Sequence, residues 1–137
     1  MKQKLIAILL GTVLLTSIGT MNASAAGNYQ DSKITDFKVT SSQKYIDGRP
    51  KLDATSATIK LSKAKTPVVV RVYGMKSAKG IKKDFTAGTP KVVKVSKKYT
   101  YLPNYVKENG RGWACLGFVR AGDKNVTITG VWSPDSI

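Results

Sequence analysis

The side chains best placed to do chemistry in this chain are basic and aromatic. Lys76, Lys79, Lys82 and Lys83 form one group, and Lys91, Lys94, Lys97 and Lys98 continue it. Tyr99, Tyr101 and Tyr105 follow directly, and Arg111 and Arg120 bracket the next apolar run. Ammonium and guanidinium groups attract anions over long range. A tyrosine ring offers a flat apolar surface with a wet hydroxyl tip. Together these suit recognition of a sugar-phosphate polymer or a membrane interface. The candidate binding residues are Lys76, Lys79, Lys82, Lys83, Lys94, Lys98, Tyr99, Tyr101, Tyr105, Arg111 and Arg120.

The same sequence argues against catalysis. It has no histidine, so the usual general base near neutral pH is missing, and Ser-His-Asp or Cys-His arrangements are excluded. Its one cysteine, Cys115, and scattered carboxylates make a poor zinc ligand set. No two acidic residues are paired in sequence for glycoside hydrolysis, although Asp47 and Asp53, or Asp123 and Asp135, can meet in space. No glycine-rich phosphate loop follows a strand and opens a helix. The expectation is a protein that is not an enzyme and uses no metal or cofactor.

Charge points the same way. The chain has 23 basic and 8 acidic residues and a net charge of +15. Residues 1–25 read as a secretory signal peptide: Lys2 and Lys4 open it, Leu5 to Ile18 is mostly apolar, and Ala23-Ser24-Ala25 is a small-x-small cleavage site. Removing it takes away two lysines and no acid, leaving +13 on residues 26–137. Those residues are read as a single secreted β domain. The expected partner is an anionic cell-wall polymer or membrane surface, with teichoic acid and anionic phospholipid ahead of nucleic acid. The competing explanation is that lysines keep strand edges soluble. With one cysteine no intramolecular disulfide can form, and Cys115 reads as a small buried hydrophobe.

The elements that must position these side chains are β-strands. Ile34–Thr40 reads as a first strand with Phe37 and Val39 inward, after a polar segment, 26–32, expected to fray. Ser41–Ala54 reads as a connection turning at Asp47-Gly48. Ala57, Ile59 and Leu61 alternate inward, with Thr58 and Lys60 outward. Val68–Tyr73 is the most β-rich run, closed by Gly74. Met75–Gly88 reads as a basic loop with at most a turn of helix. Lys91–Tyr101 reads as a strand or strand pair, with Val93, Val95, Tyr99 and Tyr101 on one parity. Asn109-Gly110 then feeds a terminal hairpin from Arg111 to Trp132, turning at Ala121–Asn125. Its first run has Leu116 and Phe118 on one face and Trp113, Cys115 and Val119 on the other; its second has Val126, Ile128 and Trp132 inward. Both tryptophans read as packing residues rather than binding platforms. The expected fold is all-β, a small antiparallel sandwich or barrel of about six or seven strands.

Tyr45-Ile46-Asp47-Gly48-Arg49, Tyr101, Asn109-Gly110-Arg111 and the ending Gly130-Val131-Trp132-Ser133-Pro134-Asp135-Ser136 together resemble a family of small secreted Gram-positive proteins of unknown function. Their chains often end in Gly-aromatic or Gly-x-Trp followed by acidic and serine residues. The resemblance implies secretion and a β-rich fold, and it supplies no activity and no catalytic residues. Gly130-Val131-Trp132 is also similar to an element of lactococcin-like bacteriocins, small cationic β-sandwiches, although the chain lacks their His-rich middle and aromatic end. The expected function is therefore a secreted cationic binding protein of the Gram-positive envelope. The alternative is a bacteriocin-like antimicrobial protein acting on the envelope of related bacteria.

Overall fold

The computed structural model describes residues 27–137; the signal peptide expected at 1–25 lies outside them. The described chain folds into two antiparallel sheets facing one another, so the all-β sandwich expectation holds. The first sheet has the order β1 (Ser32–Val39), β10 (Val126–Ser133), β4 (Ala57–Lys63), β8 (Thr100–Leu102). The second centres on β9 (Trp113–Arg120) and β5 (Val68–Met75). Short strands flank that pair: β2 (Lys44–Tyr45) and β3 (Arg49–Pro50) on β9, and β6 (Lys83–Asp84) and β7 (Lys91–Val93) on β5. The ten strands exceed the expected number because the connection Ser41–Ala54 and the loop Met75–Gly88 contain the two-residue strands β2, β3 and β6.

Alternating apolar residues build the core. Ile59, Leu61, Ile128 and Trp132 from the first sheet meet Val68, Val70, Val72, Leu116 and Phe118 from the second, all essentially buried. The Phe37 and Phe118 rings, 5.5 Å apart between centroids, join the two layers. The faces read as inward in β4 and β10 are inward, and the alternation of β5 buries Val68, Val70 and Val72 while that of β9 buries Leu116 and Phe118. In β1 both Ile34 and Phe37 point toward the core despite opposite parity. A bulge lies between them, with Asp36 at φ 46°. Aspartate tolerates that left-handed backbone, and the extra residue restores the inward face.

The terminal hairpin is overturned. β9 and β10 do not pair: β9 lies along the whole of β5, from Val68 opposite Arg120 to Met75 opposite Trp113, while β10 lies between β1 and β4. Residues 121–125 carry the chain from one sheet to the other. Both strands already have neighbours on each side, so each forms the middle of its own sheet. Their alternating pattern reports burial, which a central strand in either sheet satisfies equally.

Two further readings change. Gly74 does not end β5. It continues to Met75, and a side chain at 74 would place its Cβ 2.8 Å from the Phe85 ring, which lies over this position. Lys91–Tyr101 is two strands in different sheets: β7 pairs with β5, and β8 pairs with β4. The chain changes layers between Val93 and Thr100, so parity is not carried through. Val93 is buried, Val95, Tyr99 and Tyr101 are exposed, and Leu102 takes the inward position.

The polar segment expected to fray is fixed by a buried ion pair. Lys51 and Asp135 side chains are both fully buried. Lys51 Nζ donates to Asp135 Oδ1 at 2.8 Å, to the Pro134 carbonyl at 2.7 Å and to the Thr55 carbonyl at 2.6 Å, so all three ammonium protons are used. Asp135 Oδ2 accepts the backbone N–H of Asn28 at 2.7 Å and of Leu52 at 2.9 Å. Arg49 donates to the Trp132 carbonyl and to Asn28 Oδ1, and its guanidinium lies over the Trp132 ring. The neighbour of Asp135 is Asp53, not Asp123. Burial, the largest single effect, opposes ionisation of Asp53, but hydrogen bonds from the Thr55 hydroxyl and amide, with those of Asp135 and Tyr29, together outweigh it and hold its pKa below the ordinary aspartate value. The stretch Trp132–Ser136 is therefore part of the core, as is Trp132 itself.

Cys115 is buried on the outward side of β9, beside Tyr73 in the register. Burial pushes its thiol up to about 11, against a smaller opposing effect of Lys82. A thiol reagent at neutral pH should leave Cys115 unmodified in the native protein and react stoichiometrically in denaturant. Fast modification of the native form would contradict this placement.

Candidate anionic-polymer surface

The candidate residues of the sequence do not form one patch. Lys76 and Lys79 are exposed on the loop after β5, while Lys82 and Lys83 lie against the aromatic rings of Tyr45 and Phe85 at 5.2 and 5.6 Å. Arg111 joins this group, its guanidinium 5.6 Å from the Phe85 ring. Tyr105 is exposed nearby, its N–H bonded to the Phe85 carbonyl. Lys94 and Lys98 lie in the crossing segment, toward the opposite end of β5. Six residues of strand separate Val70, the partner of Lys91, from Lys76, which is about 20 Å. Arg120 ends β9 and donates to Asn125. Lys94 and Lys98 are on no strand, lying between β7 and β8.

Tyr99 and Tyr101 instead belong to the outer face of the four-stranded sheet, where two rows cross the strands. In one, Tyr101 stands opposite Thr58, and Thr58 opposite Ser133. In the next, Lys60 stands opposite Val131, and Val131 opposite Lys33. The Tyr99 ring reaches across this face: Lys60 Nζ sits 4.6 Å from its centroid, and its hydroxyl donates to Asp31 Oδ2. That bond raises the Tyr99 pKa. Thr58 was expected outward and is, but it is buried there because its hydroxyl is 2.8 Å from that of Ser133 beneath the aromatic cover.

Two adjoining hollows follow these rows. One, of about 210 Å³, is lined by Tyr29, Asp31, Thr58, Tyr99, Tyr101 and Ser133, closed at one end by Asp135, Ser136 and Ile137. The other, of about 230 Å³, is lined by Lys33, Lys60, Ser62, Thr129, Gly130 and Val131. A larger, 330 Å³ groove opens between β1 and β2–β3, but its floor is Trp132 and Ile34 and its guanidinium, Arg49, is already committed to the Trp132 carbonyl and Asn28. Three ion pairs occur among the described residues: Lys51–Asp135, Lys63–Asp36 and Arg71–Asp84. Lys33 and Lys60 take part in none of them. No group of three or more His, Cys, Asp or Glu side chains among the described residues is close enough to share a metal ion.

Sequence reasoning missed Lys33, Lys60, Tyr29 and Asp31 as site residues. Lys60 was legible as outward from the alternation of β4. Nothing local to the first strand indicated that Lys33 would stand two strands away in the same row.

The fold and this surface define a cationic β-sandwich with an aromatic and basic sheet face. The chain belongs to the family described as a protein of unknown function, DUF2712, whose model matches residues 21–136. Comparison with curated proteins and with solved structures finds no match.

Proposed function

We propose that this protein is a secreted, non-enzymatic binding protein that attaches to an anionic polymer of the Gram-positive envelope through the outer face of its four-stranded sheet. The observation that carries the reading is the juxtaposition of Lys33 and Lys60, unpaired with any carboxylate, beside the exposed rings of Tyr99 and Tyr101. The lysines supply charge to neighbouring phosphates, and the remaining excess of basic residues over the surface supplies long-range attraction that weakens with salt. The tyrosines supply short-range apolar contact. The cation at the Tyr99 ring is held by an interaction of about 0.5–1 kcal/mol at an exposed site, so it is oriented without being neutralised.

The test is sedimentation of the mature protein with purified walls, with and without their teichoic acid, across a salt series. Binding should require the polymer and fall steeply with salt. Lys33→Gln with Lys60→Gln should weaken it about tenfold, from two surface charge contacts near the upper end of their usual strength, Lys33 being exposed and Lys60 half-buried. Lys76→Gln with Lys79→Gln should change it about twofold, through the general field alone. Equal losses from the two pairs would remove the sheet face as the site. Binding indifferent to polymer and salt would remove the function.

A further inference from the structure

The hollow bounded by Tyr29, Tyr99 and Tyr101 differs in chemistry from the lysine row beside it. Three phenol rings converge there, Asp31 offers a carboxylate, and Thr58 and Ser133 place a hydroxyl pair at the floor. Two of the rings are held by their hydroxyls: Tyr29 on Asp53 at 3.3 Å, and Tyr99 on Asp31. Tyr101 has no such anchor and is 57% exposed. A phosphate gains nothing from this hollow, since Asp31 repels it. A pyranose fits: its C–H faces pack on a phenol ring, and its hydroxyls bond a carboxylate. Lys60 and Lys33 stand in the next cross-strand row, one strand residue pair away, where a phosphate bonded to that sugar's carrier would lie.

We propose that the tyrosine hollow is a saccharide subsite, and that the natural ligand is a polyol-phosphate chain bearing glycosyl substituents. The sugar occupies the space against Tyr101 and Tyr99, and the backbone phosphate meets Lys60 and Lys33. This rests on the reading of the sheet face as an anionic-polymer surface, and it adds the feature that distinguishes one such polymer from another. Charge alone cannot tell a bare chain from a glycosylated one.

The experiment compares the affinity of the mature protein for bare poly(glycerol phosphate) and for the same chain carrying hexosyl groups, at equal phosphate and at high salt. The wild type should prefer the hexosylated chain about fivefold, the value of one aromatic contact. Tyr101→Ala should lower the affinity for the hexosylated chain about fivefold more than that for the bare chain, so that the preference disappears, and Tyr101→Phe should retain it. Equal affinity of the wild type for the two chains, or a preference surviving in Tyr101→Ala, would overturn the subsite and leave the charge reading standing. If neither chain binds, the charge reading fails, and the subsite is decided by titrating a neutral glucose oligomer. Amide shifts confined to Thr58, Tyr101 and Ser133 support it, and their absence overturns it.

Discussion

Lys51→Met should destabilise the folded protein by about 3–5 kcal/mol, the usual effect of removing one partner from a buried ion pair. The magnitude follows from what is left behind. Asp135, with no exposure to water, would lose its one ion-pair partner. The carbonyls of Thr55 and Pro134, which accept from the same ammonium, would lose their donor as well. Domains of this size are stable by only about 5–15 kcal/mol in total, so the variant should unfold at a much lower urea concentration. Adding Asp135→Leu should recover only part of the loss, because the half-buried amides of Asn28 and Leu52 would then lose their acceptor. Equilibrium urea unfolding checks both variants. A loss under about 1 kcal/mol for Lys51→Met would mean that the pair is solvated in solution.

Gly130→Ala should cost about 3 kcal/mol, at the upper end of the range for overpacking. Gly130 is in the middle of β10, the central strand of its sheet, at the irregularity where the register with β4 shifts. A Cβ there would run into the Lys60 carbonyl and come within 2.9 Å of Leu61 Cα. Both obstacles are backbone of the neighbouring strand, which cannot rotate aside as a side chain can. The variant should show a lower unfolding midpoint with an unchanged dependence on denaturant. It should also weaken polymer binding if it folds, because Lys60 and Val131 share the displaced segment. Gly122→Ala, in the exposed connection with open space around it, should be close to neutral and serves as the control.

How far the sequence could be read depended on the range of the forces involved. Alternation at Ala57, Ile59 and Leu61, at Val68, Val70 and Val72, and at Val126, Ile128 and Trp132 is local and identified both strands and inward faces. Pairing is not local. The short connection between Arg120 and Val126 suggested a hairpin, yet the strands' partners lie far off in sequence, the nearest pair being Met75 and Trp113. The parity of Val93, Val95, Tyr99 and Tyr101 was equally misleading, because the backbone leaves one sheet and enters the other within that span. Lys51 looked like one more lysine in a connection, since its burial depends on an aspartate 84 positions later. Asn28, Tyr29 and Asp31 looked frayed for the same reason: their bonds go to Asp135, Asp53 and Tyr99. For the candidate surface, composition singled out Tyr99 and Tyr101, and both rings are exposed. It grouped them with Lys76–Lys83, which the topology sends to the other sheet, and it overlooked Lys33 and Lys60, which the register places beside them.

The most direct measurement of the central proposal is a map of backbone amide shifts in the mature protein on titration with short poly(glycerol phosphate) at moderate salt. The sheet-face reading predicts perturbations concentrated at residues 31–33, 58–60, 99–101 and 129–133, diminishing as salt rises. Perturbations centred on Lys76, Lys79, Lys82 and Lys83, or spread evenly over every exposed lysine, would contradict it.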